Sequence, residues 1–158
     1  MRRLPFIGMT PNTRSQSARA TSASHGRKPL FPFGWGLSYT TFRLDHLHVD
    51  PAAIGTGGET TVRVDATNSG GREGDEVVEL HIHQRVASVT RPVMELRGFQ
   101  RLSLKPGEMK KVEFKLKPRD LQMLNQDMYW VVELGVFDIM VGPSSDQTSS
   151  VPLRVVAK

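Results

Sequence analysis

Gly74-Asp75-Glu76-Val77-Val78-Glu79-Leu80-His81-Ile82-His83 is the stretch whose period decides the fold. Val78, Leu80 and Ile82 alternate with Glu79, His81 and His83, which places the apolar set on one face of a strand and the polar set on the other. This is the cleanest alternation in the chain, and it predicts a central strand with a wet outer face. Upstream, Val62, Val64 and Ala66 alternate with Arg63, Asp65 and Thr67, and Asn68-Ser69-Gly70-Gly71 supplies the turn between the two strands. Phe42, Leu44, Leu47 and Val49 predict a first strand with an irregularity near Asp45-His46, ended by Asp50-Pro51 and the glycines at 55–58.

Downstream, Val93–Leu104 leads into Lys105-Pro106-Gly107-Glu108, where Pro then Gly at the central positions suits a type II turn. Val112, Phe114 and Leu116 follow in alternation with lysines and Glu113, so the pair is expected to close as a hairpin. Pro118–Leu124 is expected to make one helical turn between sheets. Tyr129–Val132 and Val136–Val141 are strands, the second with Phe137, Ile139 and Val141 inward. Gly142–Ser150 is expected as a loop, and Val151–Val156 as a last strand at a sheet edge because of Pro152. Short strands with turns at this spacing and no intervening helices imply an all-β antiparallel sandwich.

The 158 residues suit one domain and a tail. The net charge of +5 is unevenly distributed: residues 1–44 carry seven basic and no acidic side chains, residues 45–158 fourteen basic and sixteen acidic. The tail, residues 1–28, is rich in Ser, Thr, Arg and Ala and is expected to be disordered, with too little apolar surface to offset ordering entropy. Its basic character lacks the interleaved aromatics and fold motif of a nucleic-acid binder, so no nucleic-acid partner is expected. Leu4–Met9, broken by Pro5 and Gly8, is no signal-peptide core, and no apolar run reaches the ~18 residues of a membrane span. With no cysteine there is no disulfide or thiolate metal site.

Pro29–Phe42 is uncharged and holds five aromatic residues among prolines and glycines. Three roles are open for its rings: plugging the core ahead of the first strand, docking on a second domain, or forming an exposed platform for sugar. Elsewhere, chemistry is sparse. Asp75 and Glu76 are adjacent and on a strand face opposite ways. Glu79, Glu95, Glu113, Asp138 and Asp146 are expected on wet faces or in turns. His46 with His48, and His81 with His83, share the i, i+2 spacing that could offer four nitrogens to zinc, but the strands are expected in opposite sheets, so no metal and no cofactor are assigned. Ser144-Ser145-Asp146 lacks the surroundings of a nucleophile, and the glycine-rich pieces match no phosphate loop.

The segments from Pro29 to Phe42, Gly74–Leu80, Arg91-Pro92-Val93-Met94-Glu95-Leu96-Arg97-Gly98-Phe99, Leu104–Glu108, Pro118–Leu121 and Val141–Asp146 together carry a resemblance. In that order they resemble the linker and C-terminal fibronectin type III-like domain of glycoside hydrolase family 3 enzymes, the β-glucosidases and β-xylosidases. The resemblance implies an immunoglobulin-like sandwich over residues 43–158, preceded by an interdomain linker at 29–42. It also implies a non-catalytic accessory role, with Phe31, Phe33, Trp35, Leu37 and Tyr39 packing against the catalytic domains in cis. Such enzymes place the catalytic carboxylates in domains with no counterpart here, so no catalytic residue is carried over. They are often periplasmic or secreted. The tail 1–28 does not match the α/β domain that precedes the linker in the family, which suggests a truncated gene or an out-of-frame start. The alternative is a free-standing sandwich binding carbohydrate or protein through Trp35, Tyr39, Tyr129 and Trp130. If the linker rings have no partner, self-association is expected.

Retaining glycoside hydrolysis needs two carboxyl groups about 5–5.5 Å apart. The purified chain is therefore expected to hydrolyse aryl β-glucosides and β-xylosides no faster than background. Turnover that survives repurification and is abolished by one carboxylate substitution within 45–158 would contradict this.

Overall fold

A computed structural model describes residues 29–157; the expectation for residues 1–28 lies outside the described residues. The strands are β1 (Phe42–Asp50), β2 (Ala53–Gly55), β3 (Thr60–Asn68), β4 (Gly74–Gln84), β5 (Glu95–Leu104) and β6 (Met109–Leu116). A helical turn, α1 (Pro118–Leu121), then leads to β7 (Met123–Leu124), β8 (Trp130–Val131), β9 (Gly135–Ser144) and β10 (Gln147–Val156). One sheet has the order β1-β3-β6, the facing sheet β2-β10-β9-β4-β5, and β7-β8 form a small ribbon. This is the all-β sandwich that the alternation predicts.

The core is built from the inward sets. Val62, Val64 and Ala66 of β3 and Val112, Phe114 and Leu116 of β6 face Val78, Leu80 and Ile82 of β4 and Phe137, Ile139 and Val141 of β9, all buried. Burying each such side chain contributes roughly 1.5–3 kcal/mol, and the period-2 pattern lets every strand do so on one side. β1 carries the expected irregularity: its register with β3 shifts between Asp45 and His48, and His46 takes φ 55°. The bulge lets Leu44 and Leu47 both pack against the core although they are three positions apart, an odd spacing that would otherwise put them on opposite faces.

Four expectations are corrected. The Lys105–Glu108 turn forms as predicted, with Gly107 at φ 75° and the Glu108 N–H donating to the Lys105 carbonyl at 2.9 Å. It does not close a hairpin, however. β5 pairs with β4 from Gly74↔Leu104 to Ile82↔Glu95, while β6 pairs with β3 from Thr60↔Leu116 to Thr67↔Met109. Each strand finds a long backbone partner in a different sheet, so the turn carries the chain across the sandwich. Second, Gly142–Ser150 is strand rather than loop: β9 runs to Ser144 and β10 starts at Gln147. Glycine is required there because a Cβ on Gly142 would sit 2.0 Å from the Gln147 carbonyl oxygen.

Third, β10 is not the edge strand, because β2 pairs parallel to its last residues, Arg154–Val156. Arg154 donates its N–H to Ala52 on that side, and Pro152, two residues earlier, turns its missing N–H the same way, onto the stretch that β2 leaves open. Fourth, Glu79 and His81 are not wet; both are buried, for a reason that lies in the linker.

Asn68, which the sequence marks only as a turn residue, is fully buried. Its Nδ2 donates to the carbonyls of Arg72 at 2.7 Å and Leu104 at 2.9 Å. Its Oδ1 accepts from the Thr40 hydroxyl at 2.8 Å and the Gly70 N–H at 3.0 Å. Its backbone N–H donates to Glu108, and its carbonyl accepts from Gly107. Asn68→Ala strands these buried groups together, so a loss of about 2–4 kcal/mol in urea unfolding is expected, against under ~0.5 kcal/mol for the exposed neighbour Ser69→Ala.

Candidate functional site

The linker is laid down by local chemistry. Pro32 fixes φ, Gly34 takes φ 78°, and the Trp35 N–H donates to the Pro32 carbonyl at 3.1 Å, so residues 32–35 form a tight turn. That turn lies on the outer face of the five-stranded sheet. The Ser145 N–H donates to the Phe33 carbonyl at 2.8 Å, and the Phe33 ring stands edge-on to His81, centroids 6.4 Å apart at 88°. Gly34 covers Glu79 so closely that a Cβ there would lie 2.5 Å from Oε1. Further along, Thr40 is tied to Asn68, and the Thr41 carbonyl accepts from the N–H groups of Ser69 and Gly70. The backbone is thus pinned at both ends.

The rings are not in the core. Phe31 and Phe33 are each 61% exposed, Trp35 47%, Leu37 89% and Tyr39 94%, which overturns the core-plugging role. Phe31 and Trp35 lean on one another, centroids 4.9 Å apart. Phe99, directly across from Glu79 on β5, and Leu96, across from His81, extend the exposed apolar surface over the sheet. Alternation alone did not single these two out, because an apolar residue on an outward position looks like noise in a single strand.

Beneath the turn lie polar groups short of partners. Glu79 and His81 are 4% and 3% exposed, and His81 Nε2 lies 3.6 Å from Glu79 Oε2, beyond hydrogen-bond range. Glu79 Oε2 and His81 Nδ1 have no hydrogen-bond partner, nor does His83 Nδ1. Burial pushes the Glu79 carboxyl up from its ordinary value and the His81 imidazole down. Between the linker and the end of the sandwich is a cleft of about 680 Å³ lined in part by Trp35, Leu37, Phe42, Glu76 and Asp146. Burial also pushes the Glu76 carboxyl up.

The remaining candidates are dispersed. Hydrogen bonds from Ser103 and Arg101 lower the pKa of the Asp75 carboxyl from its ordinary value. Glu95, expected to be wet, is half-buried between Arg91 and Arg97 and clamps the chain entering β5. Ser144 donates to Asp146 at 2.7 Å, an interaction within the β9–β10 turn. His46 and His48 lie in the three-stranded sheet, His81 and His83 in the other. Among the described residues no three His, Cys, Asp or Glu side chains converge as metal ligands, and no helix is long and apolar enough to cross a membrane.

A sandwich with this topology and this linker has recognisable relatives. Residues 76–145 match the family described as the fibronectin type III-like domain. The chain carries a fibronectin type III-like domain. It is 50% identical over 131 residues to a β-xylosidase of Formosa agariphila, covering 82% of this chain and 18% of that protein. It is 40% identical over 117 residues to a periplasmic β-glucosidase of Salmonella typhimurium, covering 74% of this chain and 15% of that protein. A solved β-glucosidase from Erythrobacter marinus superposes with a TM-score of 0.79 at 40% identity, over 82% of this chain and 17% of that one. The β-glucosidase of Listeria innocua, solved with laminaribiose, matches with a TM-score of 0.78 at 28% identity, over 94% of this chain and 20% of that one.

The chain therefore spans less than a fifth of the curated relatives compared here. The part shared with these β-xylosidases and β-glucosidases includes the segment that matches the fibronectin type III-like domain.

Gly34 is the position on which the seating of the linker turns. Gly34→Ala combines a positive φ with a contact against a buried carboxyl, so it is expected to unseat residues 31–36. Amide exchange at Ser145 should quicken at least tenfold while the urea midpoint moves little; unchanged exchange would mean that the turn is not held by this packing.

Proposed function

We propose that this fibronectin type III-like domain serves as the non-catalytic accessory module of a family 3 β-glucosidase- or β-xylosidase-type enzyme. It docks in cis on the catalytic domains through Phe31, Phe33, Trp35, Leu37 and Tyr39. The observation that carries this reading is the combination of a pinned backbone and exposed rings: the linker is hydrogen-bonded to its own domain, yet five large apolar side chains along it keep about half or more of their surface in water. Rings meant for this domain's own core would be buried in it. Rings on a rigid mount, exposed as a group, are arranged for a second surface. The β-xylosidase and β-glucosidase relatives, of which this segment is under a fifth, supply the class of partner.

A second reading has one observation in its favour. Tyr129 and Trp130 are also exposed, on the ribbon whose turn is held by Asn125 Oδ1 accepting from the N–H groups of Asp127 and Tyr129. The ribbon follows β6, whose last residue pairs with the first residue of β3, whereas the linker is tied to the last residue of β3. The two aromatic sets therefore lie toward opposite ends of the sandwich. Trp35 and Tyr39 cannot share one ligand surface with Tyr129 and Trp130, which leaves carbohydrate or protein binding to the ribbon alone.

Replacing Phe31, Phe33 and Trp35 with Ser together tests the docking role. Sedimentation of the isolated chain is expected to show less self-association than wild type, with the unfolding free energy changed by under ~1 kcal/mol because no core contact is lost. A large fall in midpoint with no gain in solubility would place the rings in the sandwich's own stability and sink the docking role.

A further inference from the structure

The alternation of β4 puts Asp75, Val77, Glu79, His81 and His83 on one outward face, and the linker covers only the middle of it. The two covered positions carry the chain's buried carboxyl and buried imidazole, each with an orphaned polar atom. Among the described residues, no charged side chain stands directly across from either of them. Their cross-strand neighbours are Phe99 and Leu96 on β5 and Gly142 and Met140 on β9, and above them lie Phe33 and Gly34 of an uncharged linker. Along β4 the next ionisable groups are already committed. Asp75 is held by Arg101 and Ser103, and His83 stands across from Asp138, which is bound by Arg85. Arg97 of β5, in the bulge between the partners of Leu80 and His81, is paired with Glu95 through Nη2, while its Nε is buried without a partner.

We propose that Glu79 and His81 form a one-proton latch that seats the aromatic linker on the sheet most firmly within a window of mildly acidic pH. The inference concerns how the rings are presented and stands whatever they dock against. With the linker seated, the pair holds a single proton, either as neutral carboxyl and neutral imidazole or as carboxylate and imidazolium. The two arrangements contain the same number of protons and have no net charge. Removing that proton leaves a sealed carboxylate with no cation to balance it, and adding a second leaves a sealed imidazolium with no anion. Burial shifts the two groups in the directions this requires, Glu79 up and His81 down.

With the linker lifted, water reaches both groups and they titrate near 4.5 and 6.5. Between those values the lifted form also holds one proton, so seating does not depend on pH. Above 6.5 the lifted form releases a proton that the seated form keeps, and each further pH unit favours lifting by up to about tenfold. Below 4.5 the lifted form takes up a second proton that the seated form refuses, and seating weakens again. Seating is therefore bell-shaped in pH with a flat top.

The test follows the Ser145 amide, whose N–H donates to Phe33, by hydrogen exchange of the full chain between pH 4 and 8.5, with the Ile139 amide of β9 as the core reference. Protection of Ser145 is expected to be level from about 4.5 to 6.5 and to fall by up to about tenfold per unit above, while Ile139 stays protected. The two single variants should move the window in opposite directions. Glu79→Gln leaves only the imidazole, so protection persists to high pH and is lost on acidification below 6.5. His81→Asn leaves only the carboxyl, so protection is confined to the acid side. A wild-type profile flat across the range, variants that shift the window the same way, or parallel loss at Ile139 would each overturn the latch. The wild-type profile alone decides the matter should either variant fail to fold.

Discussion

The interaction on which the rest depends is the hydrogen-bond set around Asn68. A buried amide offers two donors and an acceptor with two lone pairs, and here all four capacities are used. Through them the last residue of β3 holds the final carbonyl of β5 in the opposite sheet, the 69–73 turn, and the hydroxyl of Thr40 in the linker. Its backbone accounts for Glu108 and Gly107 at the crossing turn. One end of the sandwich is thereby tied together around Asn68, next to Phe42 and Leu104, and the linker leaves the domain in a fixed direction.

That direction has consequences for the outer face of the five-stranded sheet. The outer face of a sandwich sheet is ordinarily solvated, and the alternation of β4 is written for that. The linker instead folds back over the two central polar positions, so the middle of β4, from Val78 to Ile82, is buried on both sides. The chain bears the desolvation of a carboxyl and an imidazole there, while leaving its largest rings in water. Polar groups inside and aromatic groups outside invert the usual sorting. Such an inversion fits a segment that works at the boundary of two domains better than one that ends a domain.

The long strands, their inward residues, the Lys105–Glu108 turn and the irregularity in β1 were legible in the sequence, because each depends on chemistry within a few residues; the short β2 and β7 were not. Period-2 alternation names the buried face without knowledge of the partner strand. Pro106-Gly107 defines its turn through φ alone. The crossing of β5 to β6 between sheets was not legible, since the same turn joins a hairpin or an arch and only the availability of β4 and β3 as longer partners decides. The stretch 142–150 reads as loop by composition, yet Gly142 serves a close approach to Gln147 that composition cannot express.

The candidate site divides the same way. Taken alone, the sequence determined which residues form the linker and that they are uncharged and rich in aromatic and apolar side chains. Tertiary structure alone decided that Phe33 and Gly34 lie on His81 and Glu79, that the rings stay exposed, and that Asn68 ties the segment down. The reason is physical: alternation reports which side of a strand a residue occupies, not whether a distant segment returns to cover that side. Residues 33 and 81 are brought together by the Ser145 and Asn68 hydrogen bonds, and neither bond leaves a periodic trace in the chain.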